Sequence, residues 1–140
     1  MISFVFDTSA FISLEIVYLL DTIFKNFRIL SSPRVLDEIN DFALHDDELG
    51  KIAQRILEKK NKIIFQKAEL EEELSFVSHT DNELFNLSFF ENITLITDDI
   101  KLTRHAEAKI QTVFSVSFLF VFIESGLLTK HEKGLKSLNR

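Results

Sequence analysis

Cysteine and tryptophan are absent from this 140-residue chain, which also has one proline, one tyrosine and three glycines. Without cysteine there is no disulfide framework and no thiolate zinc site, a composition that fits a reducing cytoplasm. The lone proline, Pro33, reads as the start of a helix, and no linker, low-complexity tract or internal repeat interrupts the chain. One domain over residues 1–140 is therefore expected. Positive charge is also scarce: 16 Lys and Arg against 22 Asp and Glu leave a net charge of -6. That excludes coating by nucleic acid through bulk charge and confines any such contact to a local patch. No apolar run reaches the roughly 20 residues of a bilayer span; the longest, Ile110 to Ile123, is interrupted by Gln, Ser and Thr. Met1 leads straight into Ile2 to Phe6 with no basic segment before it, so a signal peptide and a membrane partner are not expected.

What is present suits a self-sufficient core. The chain is 46% hydrophobic and 27% charged, with a mean hydropathy of +0.10, and a domain of this length buries enough surface to fold without staples. Fifteen phenylalanines against one tyrosine make the aromatic usage lopsided. Most lie in apolar-periodic segments, so they are expected to fill the core and not to form a base-stacking platform.

Strand-like and helix-like segments alternate. Ile2 to Phe6 is a short apolar run that stops at Asp7-Thr8-Ser9, and apolar residues at three- and four-residue spacing then predict one or two helices from Ser9 to Phe24. Phe27 to Leu30 reads as a second strand. Ser31-Ser32-Pro33 offers a hydroxyl cap and a proline for a helix carrying Glu38. Asp46-Asp47-Glu48 places acid at the front of the next helix, ended by Lys59-Lys60. Lys62 to Phe65 is a third strand, and Ala68 to Leu74 a short acidic helix. Thr80-Asp81-Asn82-Glu83 has the form of a capping box, with Thr80 as cap and Asp81 in the first turn. Ile93 to Ile96 is a fourth strand ending at Thr97-Asp98-Asp99, followed by a helix to Lys109. Gln111 to Phe114 is a fifth strand, Ser117 to Ser125 a helix closed by Gly126, and Thr129 to Leu138 a basic helical tail. The alternation predicts an α/β fold, with a mostly parallel sheet flanked by helices on both faces.

Two strands end in acid, and ligands of parallel sheets gather beyond the strands' carboxyl ends. Asp7 and Asp98-Asp99 can therefore share a crevice, with Glu38 and Asp81 arriving on nearby helix starts. Taken singly, a cap or a solvated face serves equally well for Asp7 and Asp99 and better for Glu38 and Asp81. Gathered, like charges about 4 Å apart repel by roughly 4 kcal/mol at an effective dielectric near 20, a cost that a cation removes. Oxygen-only ligands select a hard ion, Mg²⁺ or Mn²⁺, which activates water and steadies an oxyanion in phosphodiester hydrolysis. His79 and His105 have no partner at ligand spacing. A phosphatase or receiver-like reading of Asp7 lacks both the second aspartate two positions on and a lysine after a late strand.

Phe4-Val5-Phe6-Asp7-Thr8-Ser9-Ala10-Phe11-Ile12 resembles the opening of PIN domains. Ser32-Pro33-Arg34-Val35-Leu36-Asp37-Glu38-Ile39, Thr80-Asp81 and Leu95-Ile96-Thr97-Asp98-Asp99 resemble their later motifs, in order and over essentially the whole chain. The resemblance is nearest to small prokaryotic and archaeal members, including relatives of the VapC toxins. It implies a five-stranded parallel sheet and an RNA-cutting enzyme using Mg²⁺ or Mn²⁺ held by Asp7, Glu38, Asp81 and Asp99, with Asp98 auxiliary. Thr8 or Ser9 is then expected to hydrogen-bond a ligating carboxylate, and Thr97 to brace the loop. RNA phosphates would meet Lys101, Arg104, His105 and Lys109, with Lys25, Arg28 and Arg34 as second choices. The resemblance further implies a C-terminal helical extension over about 126–140 and an antitoxin partner. The apolar Phe114 to Ile123 segment suits a homodimer. Its rival is a catalytically weak module of the same fold that binds RNA or protein.

Overall fold

In the computed structural model, residues 1–68, 77–106 and 108–124 are described. Strand β1 (Ser3–Phe6) ends at Asp7, whose carboxylate accepts from Ala10 N and starts α1 (Thr8–Ile16). Tyr18, at φ 59°, makes the left-handed turn into α2 (Leu20–Asn26), and Leu19 N closes it on Leu14 O. The Arg55 guanidinium lies 4.8 Å over the Tyr18 ring. After β2 (Arg28–Ser31), Ser32 caps α3 (Pro33–Ala43) through Val35 N, with Pro33 in its first turn as expected. Asp47 caps α4 (Glu48–Glu58), and a single 3₁₀ turn at Lys60–Lys62 leads to β3 (Ile64–Phe65). Then follow α5 (His79–Glu91), β4 (Leu95–Ile96), α6 (Ile100–Ala106), β5 (Thr112–Val113) and α7 (Ser115–Glu124). The acidic helix expected after Ala68, the Gly126 stop and the extension over 126–140 fall outside the described residues.

All four strand pairings are parallel, in the order β3-β2-β1-β4-β5. Progress in one direction (β1 to β2 to β3) and then in the other (β4 to β5) puts the connecting helices on opposite faces when the crossovers have their usual right hand. Alternation in β1 sends Phe4 and Phe6 to one face, where they meet Phe11 of α1, Phe27 and Phe118 of α7 at ring-centroid distances of 5.0 to 5.7 Å. Phenylalanine is the core filler here. Among the described residues no helix is long and apolar enough to cross a membrane.

Several polar residues of the interior are tied down. Glu15 is fully buried and receives both its bonds from Lys59 Nζ, at 2.7 and 2.9 Å, clamping α1 to the end of α4. Ser31 donates to the Phe6 carbonyl at 2.6 Å, and Asn86 to Asn82 O at 2.7 Å; the Ser88 hydroxyl bonds Ile93 O and joins the end of α5 to β4.

One expected local motif is different. The cap of α5 is Ser78, whose hydroxyl accepts from Asp81 N at 3.1 Å, and Glu83 turns away to Arg34. Thr80 already lies inside the helix, so it is neither the cap nor part of a capping box. Ser78→Ala should cost about 1 kcal/mol in denaturant unfolding and Thr80→Ala clearly less; the reverse ranking would restore Thr80 as the cap.

Candidate functional site

The sheet reverses its order between β1 and β4, and here the strand ends lie side by side. Phe6 pairs with Ile96, and Asp7 N donates to Ile96 O at 3.2 Å. Asp7 and Thr97 thus leave the sheet as neighbours at the switch point, where such folds place ligands.

Asp7 is 5% exposed and strongly held. Its Oδ1 accepts from Ser9 Oγ at 2.7 Å and Ala10 N at 2.8 Å, while Oδ2 accepts from the Thr97 hydroxyl. Oδ1 is thereby filled, and Oδ2 keeps one acceptor direction open. Burial pushes the Asp7 pKa from 3.8 up to about 6; the bonds from Thr97, Ser9 and Ala10 oppose the rise and the Asp98 charge adds to it. Thr97 also receives Asp99 N at 3.0 Å, so one hydroxyl braces both acids.

The other carboxylates come from two helices and from the residue that precedes a third. Glu38, in the second turn of α3, accepts from Thr8 Oγ1 at 2.5 Å. Asp99 precedes α6 and caps it through Leu102 N at 3.1 Å. Asp81 sits in the first turn of α5, and its carboxyl is raised above the usual range, first by burial and then by the charges of Asp99 and Glu38. Asp7, Glu38, Asp81 and Asp99 line one pocket of about 240 Å³, with Thr8, Ser9, Ser78 and Thr80 contributing hydroxyls and Leu84 an apolar wall.

This donor set, all oxygen and mostly anionic, fits a hard divalent cation. Among the described residues no three acidic or histidine groups converge closely enough to enclose an ion by themselves. A small hard ion does not require that, because Mg²⁺ characteristically keeps several waters and takes only one or two carboxylates.

Asp98 faces elsewhere. Its Oδ1 accepts from Ser115 N at 2.8 Å, and its Oδ2 from Ser115 Oγ at 2.7 Å and Ser13 Oγ at 2.9 Å. It caps α7 and ties it to α1, so the auxiliary role expected for it in the pocket is not what its side chain does. Its backbone N still donates to Ser9 Oγ at 3.0 Å, which steadies the loop behind Asp7.

The expected phosphate contacts are not gathered at the pocket. Lys101, Arg104 and His105 are exposed on α6, which leads away from Asp99, and none of them lines the acidic pocket. Lys109 lies just before β5, at the opposite edge of the sheet, beside Thr94 and Gln111. Sequence reasoning missed Ser78 as a pocket residue, although Ser78-His79-Thr80-Asp81 has the hydroxyl-x-x-acid form of a helix start. It also missed the Arg34–Glu83 pair, 49 positions apart, for which no local signal exists.

No protein-family model matches the sequence, and no curated protein matches it. Solved structures do share its fold. VapBC2 from Rickettsia felis, bound to a DNA fragment from their promoter, superposes with a TM-score of 0.57 at 14% identity, over 81% of this chain and 98% of that one. A PilT N-terminus domain protein from the archaeon Sulfolobus solfataricus P2 gives 0.59 at 16% identity, over 86% and 92% of the two chains. A Pyrobaculum aerophilum protein gives 0.61 at 13% identity, over 88% and 98%.

Proposed function

We propose, from the PilT N-terminus (PIN) domain fold that this chain has, that it is a metal-dependent endoribonuclease hydrolysing RNA phosphodiesters. The observation that carries the reading is the pocket at the sheet's switch point, which Asp7, Glu38, Asp81 and Asp99 line from four different segments. These four would hold Mg²⁺ or Mn²⁺. The ion, when bound, would supply an activated water and positive charge for phosphodiester hydrolysis.

The chain's own part is orientation. Ser9, Ala10 and Thr97 fix the Asp7 carboxylate so that Oδ2 alone keeps an acceptor direction, and Thr8 fixes Glu38. Leu84 walls the pocket and limits water on one side. The similarity to VapBC2 and the VapC-like motifs extend the proposal to the toxin of a toxin–antitoxin pair in the cytoplasm, with an antitoxin as protein partner. Exposed Val116, Phe120 and Val121 on α7 supply apolar surface for a homodimer.

A second reading is favoured by one observation, that among the described residues no three acids converge on one point. On it, the chain is a module that holds RNA or protein without cutting. The test is cleavage of a single-stranded RNA oligonucleotide with Mg²⁺ or Mn²⁺, which a chelator should abolish and either ion restore. No cleavage with either ion, together with unchanged metal affinity in Asp7→Asn and Asp99→Asn, would sink the enzyme reading.

A further inference from the structure

Arg34 stands in the first turn of α3, one turn ahead of Glu38. Residues four apart on a helix share a face, with Cβ atoms about 5–6 Å apart. Arg34 Nε donates to Glu83 Oε2 at 3.0 Å. Glu83 lies in α5 between Asp81 and Leu84, both of which line the acidic pocket. The ion pair therefore joins the two helices that deliver Glu38 and Asp81, and it holds a guanidinium one helical turn from Glu38, although Arg34 itself does not line the pocket.

The form of the pair is unusual for a clamp. Glu83 is 7% exposed, and its Oε1 is buried with no hydrogen-bond partner among the described residues. A forked, two-bond contact would satisfy both oxygens and is the common geometry for arginine with a carboxylate. Here the guanidinium is gripped by Nε alone. Its side chain is 55% exposed, and its two terminal nitrogens have no partner among the described residues. An orphaned buried carboxylate oxygen costs stability, so a pair selected only to hold helices together would close the fork. This one leaves the outer edge of the guanidinium, two parallel N–H donors, open to an anion.

We propose that Arg34 is the phosphate-contacting residue of this site and that Glu83 is its positioning residue. The proposal rests on the reading of the pocket as an RNA site. A pocket lined by carboxylates repels a phosphodiester, and a cation held one helical turn from Glu38 offsets part of that repulsion. The terminal nitrogens of a guanidinium match two oxygens of one phosphate, and the grip of Glu83 on Nε holds their plane.

The test uses the full chain and a fluorescein-labelled single-stranded RNA oligonucleotide. Binding is followed by anisotropy over a series of salt concentrations, with Ca²⁺ replacing Mg²⁺ so that binding is read without turnover; cleavage kinetics are followed with Mn²⁺. Arg34→Ala should raise Kd and KM about tenfold, leave kcat within about twofold, and flatten the log–log salt slope by about 0.7, the signature of one lost single-strand phosphate contact. Arg34→Lys should recover the slope but only part of the affinity. Glu83→Gln should weaken binding severalfold at an unchanged slope, because the charge remains and its placement is lost. Melting curves of each variant separate these effects from loss of fold. If the wild type cleaves RNA and Arg34→Ala keeps wild-type Kd, KM and slope, Arg34 is only a helix clamp and the ribonuclease reading stands without it. If the wild type binds RNA through Arg34 but never cleaves, the contact stands and the enzyme reading falls. If it neither binds nor cleaves, both fall.

Discussion

Asp7→Asn is expected to abolish cleavage and, at the same time, to make the metal-free protein more stable. The two effects have one cause. Asp7 is 5% exposed at the end of a buried strand, and burial raises its pKa from 3.8 to about 6 despite three hydrogen bonds. A raised carboxyl binds its proton more tightly in the folded chain than in the unfolded one. Its favourable contribution is therefore fully present below pH about 4 and is lost as pH rises through about 6. At pH 7.5 the ionised, metal-free side chain costs about 3 kcal/mol relative to the neutral one. Asparagine has nearly the same shape, keeps an acceptor for Ala10 N and Ser9 Oγ, and carries no charge; only the Thr97 hydroxyl has to turn. Denaturant unfolding in EDTA should show the variant more stable at pH 7.5 and the gap closing towards pH 4. Added Mg²⁺ should stabilise the wild type and not the variant, while cleavage should fall about a hundredfold or more. A variant that is no more stable at pH 7.5 than at pH 5, relative to wild type, would contradict this account of Asp7.

Phe118→Ala should come close to unfolding the domain. Phe118 of α7 is 4% exposed and meets Phe4, Phe6, Phe27 and Phe122 at centroid distances of 5.0, 5.7, 5.7 and 6.2 Å. Two strand positions, one loop residue and its own helix thus pack against it. Truncation of a phenylalanine in such a setting costs about 3–5 kcal/mol, a large part of the roughly 5–15 kcal/mol that holds a domain together. Phe118→Leu should cost less than half as much. Equilibrium denaturant curves decide the point, and a loss under about 1 kcal/mol would mean that α7 does not close the core.

Much of this architecture was legible in the sequence. Short apolar runs bounded by polar turns identified the five strands, and Ser32-Pro33 and the acidic run Asp46-Asp47-Glu48 identified helix starts, because capping and dipole effects act within three or four positions. The pairing of Asp7 with the Thr97-Asp98-Asp99 loop was also within reach. Two strands that end in acid and belong to one parallel sheet present those acids on the same edge.

Long-range geometry settled the rest. Thr80 and Ser78 offer the same hydroxyl two residues apart, and which one caps α5 depends on where the incoming chain turns into the helix. Asp98 and Asp99 are adjacent and chemically identical. They part because Ser115 and Ser13 stand within reach of Asp98 and draw it to α7, whereas Asp99 caps α6 and faces the pocket.

By itself, then, the sequence determined the strands, the helices and the short list of acids, since periodicity and capping act over a single turn or strand. Only the tertiary structure decided which acids share a pocket, that Lys59 neutralises the buried Glu15, and that Arg34 is held by Glu83. Those partners lie 44 and 49 positions apart. Electrostatic and hydrogen-bond energies depend on separation in space, and separation in space is fixed by the order of strands in the sheet.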